Sequence, residues 1–260
     1  MFLTTIANLL GEYARTAPAS SFTASSTEQH PTDVAGLRGA RLVNAIETES
    51  GSRWAESKIK SLTGGDKIAA RFMRCDFFEY VPEFKLLIAG NHRPGLRSVD
   101  EAIRRRLHMV PFTVTISPSE RDPFLAEKLT AEFSGIMRWA VEGCLGWQHD
   151  GLNPPSAVRS ETESYLAAED RIGQWIEDCC VTGKRYWSSS SALFTSWKEW
   201  CDCAGEREGS QREFSMRLEV RGFKQSRKSS ARGFVGISLV SDDVTLVTDP
   251  PILDVSHTRG

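Results

Sequence analysis

No stretch of the sequence approaches the roughly 20 consecutive apolar residues that a membrane span needs, so no transmembrane helix and no membrane partner are expected. The opening MFLTTIANLLGEYARTA has no basic residue ahead of its apolar run, which does not fit a secretory signal. Cysteine is sparse. The six, at 75, 144, 179, 180, 201 and 203, form a Cys-Cys and a Cys-x-Cys but no Cys-x-x-Cys, and no histidine stands at zinc-ligand spacing beside them. Reduced thiols in a cytoplasmic compartment are therefore expected, without a structural metal. An excess of one charge is missing too: 32 Lys and Arg against 34 Asp and Glu leave a net charge of −2. A nucleic-acid partner would have to be held by local basic patches.

What is present is ordinary globular material. With 40% hydrophobic and 25% charged residues, core formation is not in doubt. A length of 260 residues accommodates one large domain or two smaller ones. Phe2, Ile6, Leu9 and Leu10 recur at helical spacing and are followed by a Ser/Thr-rich loop. Residues 40–47 (ARLVNAIE) and 84–90 (FKLLIAG) read as buried strands, and 107–112 (LHMVPF) as a third. Helices are expected over 52–62, over VDEAIRRRL with Asp100 as cap, and from about Pro123 to Trp147. KIAARFMR and FFEYV flank Cys75-Asp76 like the arms of a hairpin. Strands separated by helices predict an α/β domain with a mostly parallel sheet over 1–148.

HDGLNPPS supplies a linker at 149–156, since Gly and two prolines end the preceding helix. Beyond it, SETESYLAAEDRIGQWIEDCC reads as one helical segment. A second follows, with Leu193, Trp197 and Trp200 on one face, and a third opens on a Ser210/Glu213 capping box. GFKQSRKSS and ARGFVGISLV then form two strands around a basic loop. This order outlines a winged helix-turn-helix over 157–240, with 241–260 as a loose tail.

Three groups carry chemistry. Glu47 and Glu49 follow an apolar strand, at the sheet edge where ligands of α/β folds bind. A carboxylate there can hold Mg²⁺ and a second can orient water toward a γ-phosphate; two solvated loop glutamates are the alternative. Asn91 ends another apolar strand with an amide that can donate and accept, although Gly-Asn is also ordinary turn chemistry. Arg104, Arg105 and Arg106 point in three directions from a short helix, as arginine fingers or as a solvated face.

In this order, RLVNAIETESGSRWAESKIKSLTGGDKIAARFMRCDFFEYVPEFKLLIAGNHRP followed by DEAIRRRLHMVPF resembles the phage/plasmid DNA primase–helicase family of superfamily 3. The resemblance implies a partial AAA+-like domain with ATP and Mg²⁺ as cofactors, a homo-hexameric ring and ATP-dependent DNA unwinding in replication. Glu47 and Glu49 then occupy the Walker B region, with Glu47 as metal ligand. Asn91 stands at sensor 1, and Arg105 and Arg106 are the finger candidates. The hairpin after LTGGD corresponds to the loop that grips one DNA strand, with Lys67, Arg71 and Arg74 for phosphates and Phe72, Phe77 or Phe78 as stacking or core aromatics. The winged helix would take duplex DNA through Arg221, Lys224, Arg227 and Lys228. Residues 205–232 hold eight basic side chains against four acidic ones, which suits a DNA-facing surface; a solvated charged face is the alternative.

One departure opposes these matches. An NTPase of this kind needs G-x-x-x-x-G-K-[ST], and the sequence has none. The only Gly-Lys, Gly183-Lys184, is followed by Arg185. A truncated or split product with little ATP binding and no unwinding of its own is therefore expected. The alternatives are a non-enzymatic DNA-binding or ring-assembly protein and a different carboxylate-dependent phosphohydrolase. No residues support nucleotide polymerisation, so no primase activity is expected here.

Overall fold

The apolar run Leu42-Val43-Asn44-Ala45 is buried along its whole length, as expected of a strand covered on both faces. In the computed structural model, which describes residues 1–25, 32–46, 50–228 and 231–240, it is the middle strand of a parallel sheet. The elements, in chain order, are α1 (Phe2–Leu10), β1 (Ala14–Thr16), α2 (Thr32–Ala35), β2 (Leu42–Ile46), α3 (Glu56–Thr63), β3 (Ile68–Ala70), β4 (Phe78–Tyr80), β5 (Lys85–Ala89) and α4 (Glu101–Arg104). Then come α5 (Leu125–Ala131), α6 (Phe133–Asp150), α7 (Ser156–Glu169), α8 (Arg171–Cys179), β6 (Cys180–Ser189), α9 (Ser190–Ala204), α10 (Gln211–Val220), β7 (Lys224–Lys228) and β8 (Ala231–Leu239).

The chain forms two units, Met1–Glu169 and one beginning at Asp170. In the first, the sheet order is β1-β2-β5, all parallel. Phe22, Leu37, Val43, Ala45, Leu62 and Phe84 form its main core. A second cluster of Leu96, Ile103, Tyr165 and Leu166 holds α4 and α7. The composition change at 149–156 predicts that α7 belongs to the second module, but it packs within the first unit. Asp100 caps α4 as expected, its Oδ1 accepting from the Ile103 amide at 2.9 Å.

Two further sequence expectations fail in this unit. Residues 107–112 form no strand: Leu107 and Met109 pack against the α4–α7 cluster, the Met109 amide donates to Thr162 Oγ1 at 2.9 Å, and no strand pairs with them among the described residues. Val110, Phe112, Val114 and Ile116 consequently stand exposed at alternate positions, Phe112 at 78%. The single helix expected to begin near Pro123 is two. It breaks at Glu132, whose ψ of 9° departs from helical geometry, and α6 has no buried residue.

In the second unit, α8, α9 and α10 share a core with a three-stranded antiparallel sheet of order β6-β8-β7. Trp175, Leu193, Trp197, Phe214, Leu218, Phe234 and Ile237 are its fully buried core. Trp175 meets Trp197 edge-on at 6.0 Å between centroids. Ser210 and Glu213 form the expected reciprocal capping box of α10. Strand β6 is an addition to the two-stranded ribbon that the sequence predicts. The single helical segment expected ahead of it is divided into α7 and α8 by Asp170, which caps α8 through the Gly173 amide.

Candidate nucleotide and nucleic-acid sites

Parallel pairing of β2 with β5 runs from Leu42 opposite Lys85 to Ile46 opposite Ala89. The carboxyl ends of these two strands therefore lie side by side, at the sheet edge where α/β folds bind ligands. Glu47 follows Ile46 directly and Glu49 comes two residues later; both lie outside the described residues. Asn91, two residues beyond Ala89, is exposed, and its side chain has no hydrogen-bond partner among the described residues.

The loop carrying Asn91 is pinned immediately afterwards. Pro94 O accepts the Tyr165 hydroxyl at 2.5 Å, and the Leu96 amide donates to Glu169 Oε2 at 2.7 Å. The Arg97 amide donates to Glu56 Oε1, and Gly95 pairs with Ser52 and Trp54 through backbone bonds. Burial raises the pKa of the Tyr165 hydroxyl to about 12, so it acts as a neutral donor across the physiological range.

The finger candidates separate. Arg106 donates from Nε to Thr63 Oγ1 at 3.2 Å and from Nη1 to Ala102 O at 2.8 Å, fastening the end of α4 to the end of α3. Arg105 is exposed, and no side-chain bond engages it among the described residues.

After α3 the chain reverses at Gly64-Gly65, which serve different needs. A Cβ on Gly64 would come within 2.7 Å of Lys60 O, and Gly65 sits at φ 84°, where a side chain is strained. The expected antiparallel hairpin of β3 and β4 follows. Its base is tied to α2 by Tyr80 Oη donating to Val34 O, and the start of its connecting loop by Thr32 Oγ1 donating to Arg71 O at 3.2 Å. At the tip, Arg74 adopts φ 61°, and the Arg71 guanidinium lies over the Phe77 ring at 4.7 Å. Phe72, Met73 and Phe77 are exposed, so of the three stacking candidates only Phe78 is partly covered. Lys67 and Arg74 are also exposed.

The second unit's cations divide as well. The Arg221 guanidinium pairs with Asp170. Lys224 and Arg227 are exposed, and Lys228 Nζ lies 5.3 Å from the Trp187 ring centroid. Arg227 alternates with Lys228 and so projects to the opposite side of β7. Neither Trp187 nor Arg38, which lies over Phe78, stands out in the sequence; the only signal is an aromatic beside a basic residue.

Among the described residues no phosphate loop and no metal-ligand cluster is found. Gly183-Lys184 lies inside strand β6, not at a strand-to-helix turn, and is no phosphate loop. Among the described residues no group of three or more His, Cys, Asp or Glu side chains could hold a metal. Buried Cys180 and Cys201 have thiol pKa values raised by burial to about 12 and about 11, which makes them poor metal ligands.

No family model matches the chain. It is 26% identical over 182 residues to a protein of Frog virus 3 (isolate Goorha) named "Putative helicase", covering 62% of this chain and 18% of that protein. It is 26% identical over 195 residues to a protein of Acanthamoeba polyphaga mimivirus with the same name, covering 68% of this chain and 20% of that one. The chain thus spans about a fifth of the length of the curated relatives it matches. The homology is distant, and it joins this α/β chain to viral proteins named as helicases.

Proposed function

We propose that the chain is the C-terminal portion of a superfamily 3 primase–helicase motor whose intact form unwinds DNA with ATP and Mg²⁺ as a homo-hexameric ring. The observation that carries this reading is the β2–β5 register, which brings the strand ends preceding Glu47 and Asn91 together. In this reading Glu47 holds the metal, Glu49 orients water, Asn91 senses the terminal phosphate and Arg105 reaches the neighbouring subunit's nucleotide. Arg106 holds Arg105's helix in place. The β3–β4 hairpin grips a single strand through Lys67, Arg71 and Arg74. The second unit takes duplex DNA as a winged helix, supported by its order of helix, strand, two helices and two strands. The relatives' names support a helicase-related role.

Lacking G-x-x-x-x-G-K-[ST], the chain alone is not a working ATPase in this reading. The same lack favours a second reading, a non-enzymatic DNA-binding or ring-assembly protein. A nucleotide titration and ATPase assay decide between them. The motor reading expects no turnover from the chain alone. It expects turnover once a segment bearing a phosphate loop is fused ahead of Met1, and loss of that turnover in Glu47→Gln. A fused chain that neither binds nucleotide nor hydrolyses it leaves the non-enzymatic reading.

A further inference from the structure

Strand β6 leaves its ladder and returns to it. Thr182 pairs with Ile237 and Trp187 with Val235, so the four residues Gly183, Lys184, Arg185 and Tyr186 face only Gly236. This is a bulge larger than the usual two residues against one, and such departures redirect side chains. Lys184 and Arg185 are exposed on it.

The register next to the bulge determines which side chains share a face. Trp187 is opposite Val235, which is opposite Lys224; Lys228 lies four pairs further along β7, opposite Ala231, which is two residues from the Gly233 that the indole reaches. These residues occupy the sheet face opposite the one that buries Phe234. Neighbouring strands are about 4.8 Å apart, so β6 and β7 side chains are within reach across β8.

Trp187 is seated on this face. A Cβ at Gly233 would fall 2.6 Å from its ring, so the indole covers a position that must be glycine. Lys228 Nζ covers the ring from its own side at 5.3 Å. The indole Nε1 is buried with no hydrogen-bond partner among the described residues, an arrangement that helps little with folding. What the arrangement does supply is a lysine held over the sheet by cation–π attraction.

We infer that the outer face of the second unit's sheet binds the phosphodiester backbone of duplex DNA, through Lys184 and Arg185 on the bulge and Lys224 and Lys228 on β7. Trp187 is a positioning residue that holds Lys228. The inference rests on the DNA-binding reading above and adds a bulge and an indole to it. Duplex is favoured over single strands because Trp187's ring is occupied by Gly233 and Lys228. Base stacking needs a free aromatic face, whereas backbone recognition needs only charge.

The test is fluorescence anisotropy on the full chain with a labelled mixed-sequence duplex, across a salt series. Lys184→Ser/Arg185→Ser is expected to weaken binding about tenfold and to lower the log–log salt slope by about two, near 0.9 for each phosphate no longer neutralised. Trp187→Leu is expected to weaken binding about threefold, to add nothing in a Lys228→Met background, and to be rescued by Trp187→Phe. An unchanged slope in the double serine variant overturns the inference, as does an additive Trp187→Leu effect. Equal or tighter binding of the same-length single strand, or of heparin, overturns it as well. Binding that needs Arg227 but none of these residues sinks this inference and spares DNA binding by the second unit; no salt-dependent duplex binding sinks both.

Discussion

Arg106 Nε and Thr63 Oγ1 are hydrogen-bonded at 3.2 Å, which joins the last turn of α4 to the last turn of α3. Two adjacent arginines therefore have different tasks. Arg106→Ala is expected to lower stability by about 1–2 kcal/mol through loss of its charged donors. Arg105→Ala is expected to change it by less than about 0.5 kcal/mol. Chemical denaturation of both variants measures this, and equal losses would remove the distinction.

Asp100 carries an acid-sensitive part of the first unit's stability. Burial alone would raise its pKa, but the hydrogen bond and charge of Lys60 and the Ile103 amide outweigh it and hold the carboxyl below the usual range. A depressed folded-state value means this stabilisation is complete above about pH 4, the unfolded value, and is lost as pH falls through the folded one. Asp100→Asn should flatten that loss in acid melts. Asp100→Ala also removes the cap and should cost about 1 kcal/mol at neutral pH.

The Gly64-Gly65 turn directs the hairpin. Gly65→Ala is expected to cost about 1 kcal/mol from the left-handed backbone. Gly64→Ala should cost more, because the clashing atom is the Lys60 backbone carbonyl, which cannot swing aside. Thermal melts that rank the two in the reverse order would contradict this steric assignment.

At the hairpin tip, Phe77→Ala should weaken binding of single-stranded DNA by about 1–3 kcal/mol if bases stack there. Arg74→Ser should weaken it in a salt-dependent way. Anisotropy with a labelled oligonucleotide reads both, and unchanged affinities would take the hairpin out of the DNA path.

The alternating exposed residues Val110, Phe112, Val114 and Ile116 form an unpaired, strand-like apolar row. Such rows recruit other chains. Phe112→Ser/Val114→Thr is expected to reduce concentration-dependent aggregation, seen by light scattering, with little change in unfolding temperature.

Local signals are the ones that read correctly from sequence. The apolar runs of β2 and β5, the Asp100 cap and the Ser210/Glu213 box are each decided within a few residues. The breaks at Glu132 and Asp170 are not legible, because long helical patterns continue through both. Strand β6 escapes notice although Val181, Thr182, Tyr186 and Trp187 favour strands; the glycine and two cations between them mask the pattern. Of the candidate site, Asn91 and the finger helix can be followed into the structure. The two tasks of Arg105 and Arg106 cannot be told apart from an Arg-Arg-Arg run, since the Thr63 hydroxyl that separates them is distant in sequence.

Glu169 and Asp170 are consecutive carboxylates with separate allegiances. The first receives the Leu96 amide, and the second receives the Gly173 amide and the Arg221 guanidinium. Severing the peptide link between them would leave every one of these side-chain bonds inside one half or the other. A cut at that seam therefore leaves each piece its own anchor.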